Sequence, residues 1–212
     1  MSAIKQWEQS STKVFWGEIA PAEHLVQIYE NDAVMIDSLE GFVTSGFDSG
    51  DSVVIIATDE HLQALHVRLK VQGYNLEQLI NDSQYVPLNA IDTLSKFMRV
   101  GWPDEKLFMK TVTEVILKAR GDKARKIRAF GEMVAILWEQ GYSGATVQLE
   151  NLWNKFSEKE EFCLFCAYPK SGFTQDPHTS MQHICSTHTK VIDGLRRSKT
   201  EVFYKDSTYT KA

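Results

Sequence analysis

The stretch Ser52-Val-Val-Ile-Ile-Ala57 is a near-continuous apolar, β-branched run, bounded by Gly50 and Asp51 before it and Thr58 and Asp59 after it. Such a run, without polar alternation, reads as a strand covered on both faces, the usual state in a parallel sheet. Similar runs recur along the chain. His24-Leu-Val-Gln-Ile-Tyr29 precedes it, and Lys126–Phe130 and Phe162–Tyr168 follow, with segments of helical apolar spacing between them. Met35, Ile36, Leu39, Phe42, Val43 and Phe47 form one helical face, behind a cap at Asn31 or Asp32. Leu62, Leu65, His66 and Leu69 form another, capped at Thr58 or Asp59 and closed by Gly73. Helices are also expected over Leu107–Leu117, over Glu132–Gln140 and from Ala145 to Phe156. Tyr85-Val-Pro-Leu-Asn89 is a weaker strand, and Pro87, lacking a donor, assigns it to an edge or a strand end. This alternation, with right-handed crossovers, predicts an α/β fold: one mainly parallel sheet with helices on both faces.

The remaining segments are less regular. Residues 1–23 read as irregular, anchored by Trp7, Phe15 and Trp16. Gly101-Trp-Pro-Asp104 reads as a loop, 179–195 as containing a helix, and Glu201–Lys205 as a final edge strand. No repeat, low-complexity linker or composition break divides the 212 residues, so a single domain over 1–212 is expected. With 43% apolar and 24% charged residues, the composition is that of an ordinary globular protein. A net charge of −5 gives no long-range attraction for nucleic acid, whose phosphates need a basic face. The opening M-S-A-I-K-Q-W-E-Q-S lacks the apolar run of a signal peptide, and no stretch approaches the roughly 20 apolar residues of a membrane span. A cytoplasmic protein without membrane or nucleic-acid partners is expected, with self-association as a homodimer left open.

In an open parallel sheet, ligands sit beyond the carboxyl ends of the strands. Those ends carry Tyr29 and Glu30, Thr58 and Asp59 with His61 a turn later, Asn89, Gly131 and Glu132, and Tyr168 and Pro169. Arg128 is a cation inside a strand that should be covered, and a buried cation needs a partner. Two readings stand: a clamp on an anionic or carbonyl group of a ligand, or a pair with Glu132 or Glu150 that pins a helix to the sheet.

Other chemistries find little support. A phosphate loop needs G-x-x-x-x-G-K-[ST]; Gly41 and Gly46 have the glycine spacing, but Phe47 and Asp48 follow them, and they lie in a helix. Neither G-x-G-x-x-G nor a G-x-S-x-G elbow occurs. Cys163 and Cys166 have C-x-x-C spacing, yet on a strand residues three apart face opposite ways, so both read as buried structural thiols. His178, His183, Cys185 and His188 cluster late in the chain, but H-x-C-x-x-H matches no standard zinc spacing. A helix packed through Ile184 and Cys185 accounts for them, and neither a metal nor a cofactor is expected.

Several of these segments together resemble one family. The opening H-L-V-Q-I-Y-E, Gly50-Asp51-Ser52 with its strand, R-A-F-G-E-M-V-A-I-L-W-E-Q-G, L-E-N-L-W-N, C-A-Y-P and a late I-C-x-x-H occur in the order seen in the MEDS sensory domains (methanogen/methylotroph, DcmR-type). The likeness covers a core of about 24–191. It implies a RecA-like fold without the phosphate-loop lysine. It also implies a non-enzymatic role in sensing small molecules, with hydrocarbon derivatives a candidate class. Family members usually join a DNA-binding or histidine-kinase module, which this chain has no length to hold, so a signalling protein partner is expected. The ligand-binding set is then Tyr29, Glu30, Thr58, Arg128, Glu132 and Tyr168. Trp138 and Trp153 read as core residues that an apolar pocket could also use. Two other readings remain open: a degenerate nucleotide-binding protein without hydrolysis, and a pure interaction module.

Overall fold

A computed structural model describes residues 7–121, 123, 125–174 and 176–207. The chain opens with β1 (Glu8–Ser11) and α1 (Thr12–Gly17), which place Phe15 and Trp16 in the core. Then follow β2 (His24–Tyr29), α2 (Asp32–Asp48), β3 (Ser52–Ala57), α3 (Asp59–Val71), α4 (Leu76–Asn81) and β4 (Tyr85–Asn89). A helix α5 (Ala90–Phe97) leads into a small hairpin of β5 (Met98–Arg99) and β6 (Trp102–Pro103), then α6 (Glu105–Arg120). The second half holds β7 (Ile127–Gly131), α7 (Met133–Glu139), α8 (Ser143–Ser157), β8 (Cys163–Pro169), α9 (Pro177–Ser186), β9 (Lys190–Gly194) and β10 (Glu201–Asp206).

Eight strands form one sheet in the order β1-β10-β9-β2-β8-β7-β3-β4. Every pairing from β9 to β4 is parallel; β1 and β10 join antiparallel at the other edge. The three expected strands of β3, β7 and β8 lie in this sheet, and β4, with Pro87, is its edge. The expected caps are there too: Asn31 accepts from the Val34 N–H, and Thr58 from the His61 N–H.

The two faces hold separate cores, because alternate side chains of each strand point to opposite sides. Under α1, α2 and α3, Trp16, Phe42 and Phe130 surround Phe165 at ring distances of 5.5, 5.5 and 5.3 Å. On the other face, Trp153 of α8 meets Phe108 of α6 edge-on at 5.1 Å. Aromatic pairs of this kind add about 0.5–1.5 kcal/mol each beyond their buried area. Cys163 falls in the first core and Cys166 in the second, as the strand geometry requires.

Several segments depart from the sequence reading. β1 and α1 occupy part of the stretch expected to be irregular, while residues 1–6 lie outside the described residues. β1 covers β10, so β10 is not the edge. Residues 190–194 are a strand against β2, although 179–195 had shown only a helical signal. The Gly101 loop is the tip of the β5–β6 hairpin.

Arg128 is the clearest correction. Its Nε donates to Asp51 Oδ2 at 2.7 Å and its Nη1 to the Trp16 carbonyl at 2.7 Å; neither Glu132 nor Glu150 is its partner. The reason is topological. Arg128 is the second residue of β7, and at about 3.3 Å per residue Glu132 lies some 13 Å further along the chain. Glu150 serves the opposite face, where it meets Tyr168. β7 pairs with β3 so that Val53 lies beside Arg128, which brings Asp51, just before β3, within reach. The guanidinium also lies 5.9 Å from the Phe42 ring centre.

Candidate functional site

The carboxyl ends of β2, β3 and β7 converge on Glu132. This residue follows β7 directly, and its backbone N–H donates to the Ile56 carbonyl at the end of β3. The residue is 5% exposed, yet carries a carboxylate. One oxygen accepts from the Thr58 N–H at 2.8 Å, and the other lies 2.7 Å from His61 Nδ1. The Thr58 N–H comes at the start of α3, so Glu132 takes up a donor that a helix terminus leaves over. His61 Nε2 in turn lies 3.7 Å from Asp32 at the start of α2. The chain Thr58–Glu132–His61–Asp32 thus ties together the starts of α2 and α3, which follow β2 and β3, two strands with β8 and β7 between them.

Charge dominates this rim. Burial works against a charged His61 ring, but the hydrogen bond and charge of Glu132, with Asp32 behind them, prevail and raise its pKa above the ordinary imidazole value. Tyr29, buried at the end of β2, has its hydroxyl pKa pushed up by burial first, then by the charges of Glu132 and Asp32. Glu139, at the end of α7, is raised by burial and by the same two carboxylates. At the outer margin Glu30 is exposed and pairs with Lys170 at 2.8 Å. Asn89 caps α5 and donates to Asp59 at 2.8 Å.

Of the six residues expected to bind ligand, the fold brings Tyr29, Thr58 and Glu132 together and leaves Glu30 beside them on the surface. Arg128 lies toward the amino end of its strand, paired with Asp51, and does not reach the rim. Tyr168 is fully buried on the other face, where its hydroxyl donates to Glu150. His61, named only as a neighbour of the rim, proves to be its hub. The signal for it was its place three residues after the Thr58 cap, which turns the side chain back toward the strand end. Trp153 is a core residue at 1% exposure, and Trp138 is half-buried against Phe173 at 5.2 Å.

A groove of about 660 Å³ lies elsewhere, between α1 and the outer side of α2. It is lined by residues such as Thr12, Lys13, Gly41, Thr44 and Lys199. It sits away from the strand ends and gathers none of the buried charged groups of the rim.

No phosphate cradle follows β2. Only Glu30 and Asn31 separate it from α2; neither is glycine, Asn31 caps the helix with its own side chain, and Asp32 opens it. A helix start attracts phosphate through free N–H groups and its positive end. Here the N–H of Val34 is already satisfied and carboxylates stand around the opening.

Solved structures with this architecture include the KaiC-like protein PH0186 from the hyperthermophilic archaeon Pyrococcus horikoshii OT3. It aligns with a TM-score of 0.56 and 10% identity, over 90% of this chain and 82% of that one. A second Pyrococcus horikoshii OT3 protein, PH0250, aligns with a TM-score of 0.61 and 13% identity, over 94% and 93% of the two chains. At these identities the likeness is one of fold: a KaiC/RecA-like α/β domain. A search of curated proteins returned no match. Residues 23–189 match the family described as MEDS, the MEthanogen/methylotroph, DcmR Sensory domain. The chain therefore belongs to the MEDS family of sensory domains.

Proposed function

We propose that this sensory domain binds a small neutral or cationic ligand at the rim around Glu132 and His61, and passes the binding event to a protein partner without catalytic turnover. The observation that carries this reading is the buried Glu132 carboxylate, held by the Thr58 N–H and His61 at the strand ends. It stands with Asp32, Tyr29 and Glu139 where an open α/β sheet takes its ligand. Such a site suits a hydroxyl or ammonium group, which can donate to Glu132 or Asp32. It opposes phosphate, which would face carboxylates with Lys170 and His61 as the nearby cations.

The binding group also has a route to the rest of the molecule. Glu132 heads α7, Thr58 heads α3 and Asp32 heads α2, so a ligand that displaces His61 from Glu132 loosens three helix starts at once. A shift of helices against a fixed sheet is a standard way to change a surface read by another protein.

The experiment is a thermal-shift comparison of short-chain alcohols and amines with ATP–Mg²⁺, on the full chain and on Glu132→Gln. The proposal expects stabilisation by members of the first set that Glu132→Gln removes. Stabilisation by ATP–Mg²⁺ that Glu132→Gln removes would instead establish a nucleotide-binding protein.

A further inference from the structure

The sheet face beneath α8 and α9 carries a second cluster, separate from the rim. His24 begins β2 and Cys166 lies in β8; Val26 pairs with Cys166, so the imidazole and thiol share a face on adjacent strands. Glu150 comes from α8, and His188 from the turn between α9 and β9. All four are buried, and one ligand atom from each lies within 4.8 Å of the others. Cys166 Sγ is 3.5 Å from His24 Nε2. His24 Nε2 is 3.8 Å from Glu150 Oε2, and His188 Nε2 is 3.8 Å from Glu150 Oε1.

The hydrogen bonds behind these atoms fix which way they face. His188 Nδ1 lies 2.7 Å from the Ile184 carbonyl oxygen. A carbonyl only accepts, so Nδ1 carries a proton and Nε2 is the ring atom turned toward the cluster. His24 Nδ1 lies 3.0 Å from Asn154 Oδ1, which aims its Nε2 at the cluster in the same way. The Tyr168 hydroxyl donates to Glu150 Oε1. His188 Nε2 and Glu150 Oε2 have no hydrogen-bond partner, although His188 is 1% and Glu150 4% exposed. Two buried polar atoms thus stand together without a hydrogen-bond partner, and a thiol completes the group. Histidines that ligate metals are held in this manner, with the outer nitrogen bonded to a carbonyl.

We propose that His24, Glu150, Cys166 and His188 form a site for a single divalent cation of the zinc class. Two imidazoles, a thiolate and a carboxylate are the donors that such a borderline ion accepts, whereas magnesium and calcium take oxygen. Tetrahedral zinc, with bonds of about 2.0–2.1 Å to nitrogen and 2.3 Å to sulfur, separates the two atoms by about 3.5–3.6 Å. The His24–Cys166 distance of 3.5 Å falls at that value. On binding, the thiol proton leaves to solvent and its sulfur joins the ion as thiolate. Four protein ligands close the coordination, which makes the ion a fastener. It holds α8 and the turn before β9 to the sheet, on residues the rim does not use.

The full chain is stripped with chelator under reducing conditions and titrated with Co²⁺. The expected result is one equivalent bound, with the intense visible bands of four-coordinate cobalt and a thiolate-to-cobalt charge-transfer band, both lost on adding Zn²⁺. Cys166→Ser abolishes the charge-transfer band, and His188→Gln weakens binding roughly tenfold or more. His183→Gln and Cys185→Ser leave both readouts unchanged. In the folded wild-type chain, no uptake, or a six-coordinate spectrum without the sulfur band, overturns the proposal without need of any variant. A sulfur band that survives Cys166→Ser, or disappears in Cys185→Ser, overturns it as well.

Discussion

Arg128 is 5% exposed, with Asp51 on one side, the Trp16 carbonyl on another and the Phe42 ring beside it. It locks α1 to the base of the sheet. Removing one partner of a buried pair leaves the other charge stranded, so Arg128→Ala should cost roughly 3–5 kcal/mol in urea unfolding. A loss below about 1 kcal/mol would mean that water already screens the pair. His61 supports a second test. Its folded pKa is raised, so its stabilising effect is complete below the unfolded value of about 6.5 and is lost as pH rises through the higher folded value. An NMR titration of the His61 ring should give a midpoint above 6.5, falling in Glu132→Gln. A midpoint at or below 6.5 in the wild-type chain would contradict the Glu132–His61 contact. At this scale the sequence was legible where a residue acts on near neighbours: the Asn31 and Thr58 caps follow from residue type alone. It was opaque where topology decides. Asp51 could not be paired with Arg128 without knowing that β3 lies beside β7. The late histidines are divided in the same way. His178 and His183 are exposed, while His188 turns inward to meet residues from β2, α8 and β8.

Among the elements, the largely apolar runs were enough to find β3, β7 and β8, because strands buried on both faces favour apolar residues throughout, with Arg128 of β7 the exception that needs its own partner. β1 could not be found this way. Its sequence Glu-Gln-Ser-Ser is polar throughout, and it is a strand only because β10 offers it a partner. β9 is short and carries Lys190 and Asp193, and its pairing with β2 defines it. That pairing has a narrow point. Gly194 lies opposite Tyr29, and the Glu30 N–H donates to the Gly194 carbonyl at 3.1 Å. A Cβ on Gly194 would stand 2.1 Å from the Ile28 carbonyl oxygen and 2.7 Å from Tyr29 Cα. These are backbone atoms of an inner strand and cannot turn aside. Gly194→Ala should therefore destabilise by about 1–3 kcal/mol or more, with faster amide exchange concentrated in β2 and β9. Unchanged stability and exchange would show that the two strands part more easily than their register implies.

For the whole molecule, a KaiC/RecA-like sheet is present without the loop that would hold phosphate, and a charged, partly buried cluster stands at its strand ends. No helix among the described residues is long and apolar enough to cross a membrane. The general position of the rim could be read from strand order alone, but its composition could not. The sheet turns the Tyr168 side chain to its other face, Arg128 lies at the amino end of its strand, and His61 enters only because α3 begins where it does. The most direct measurement is the melting temperature of the full chain with short-chain amines and alcohols, and separately with ATP–Mg²⁺. A ligand at about 100 times its dissociation constant adds roughly 2.7 kcal/mol, about 5–10 °C for a domain of this size. The account predicts a rise of that order from members of the amine and alcohol set, absent in Glu132→Gln, and none from ATP–Mg²⁺. A rise with ATP–Mg²⁺, abolished by Glu132→Gln and not matched by any amine or alcohol, would contradict it.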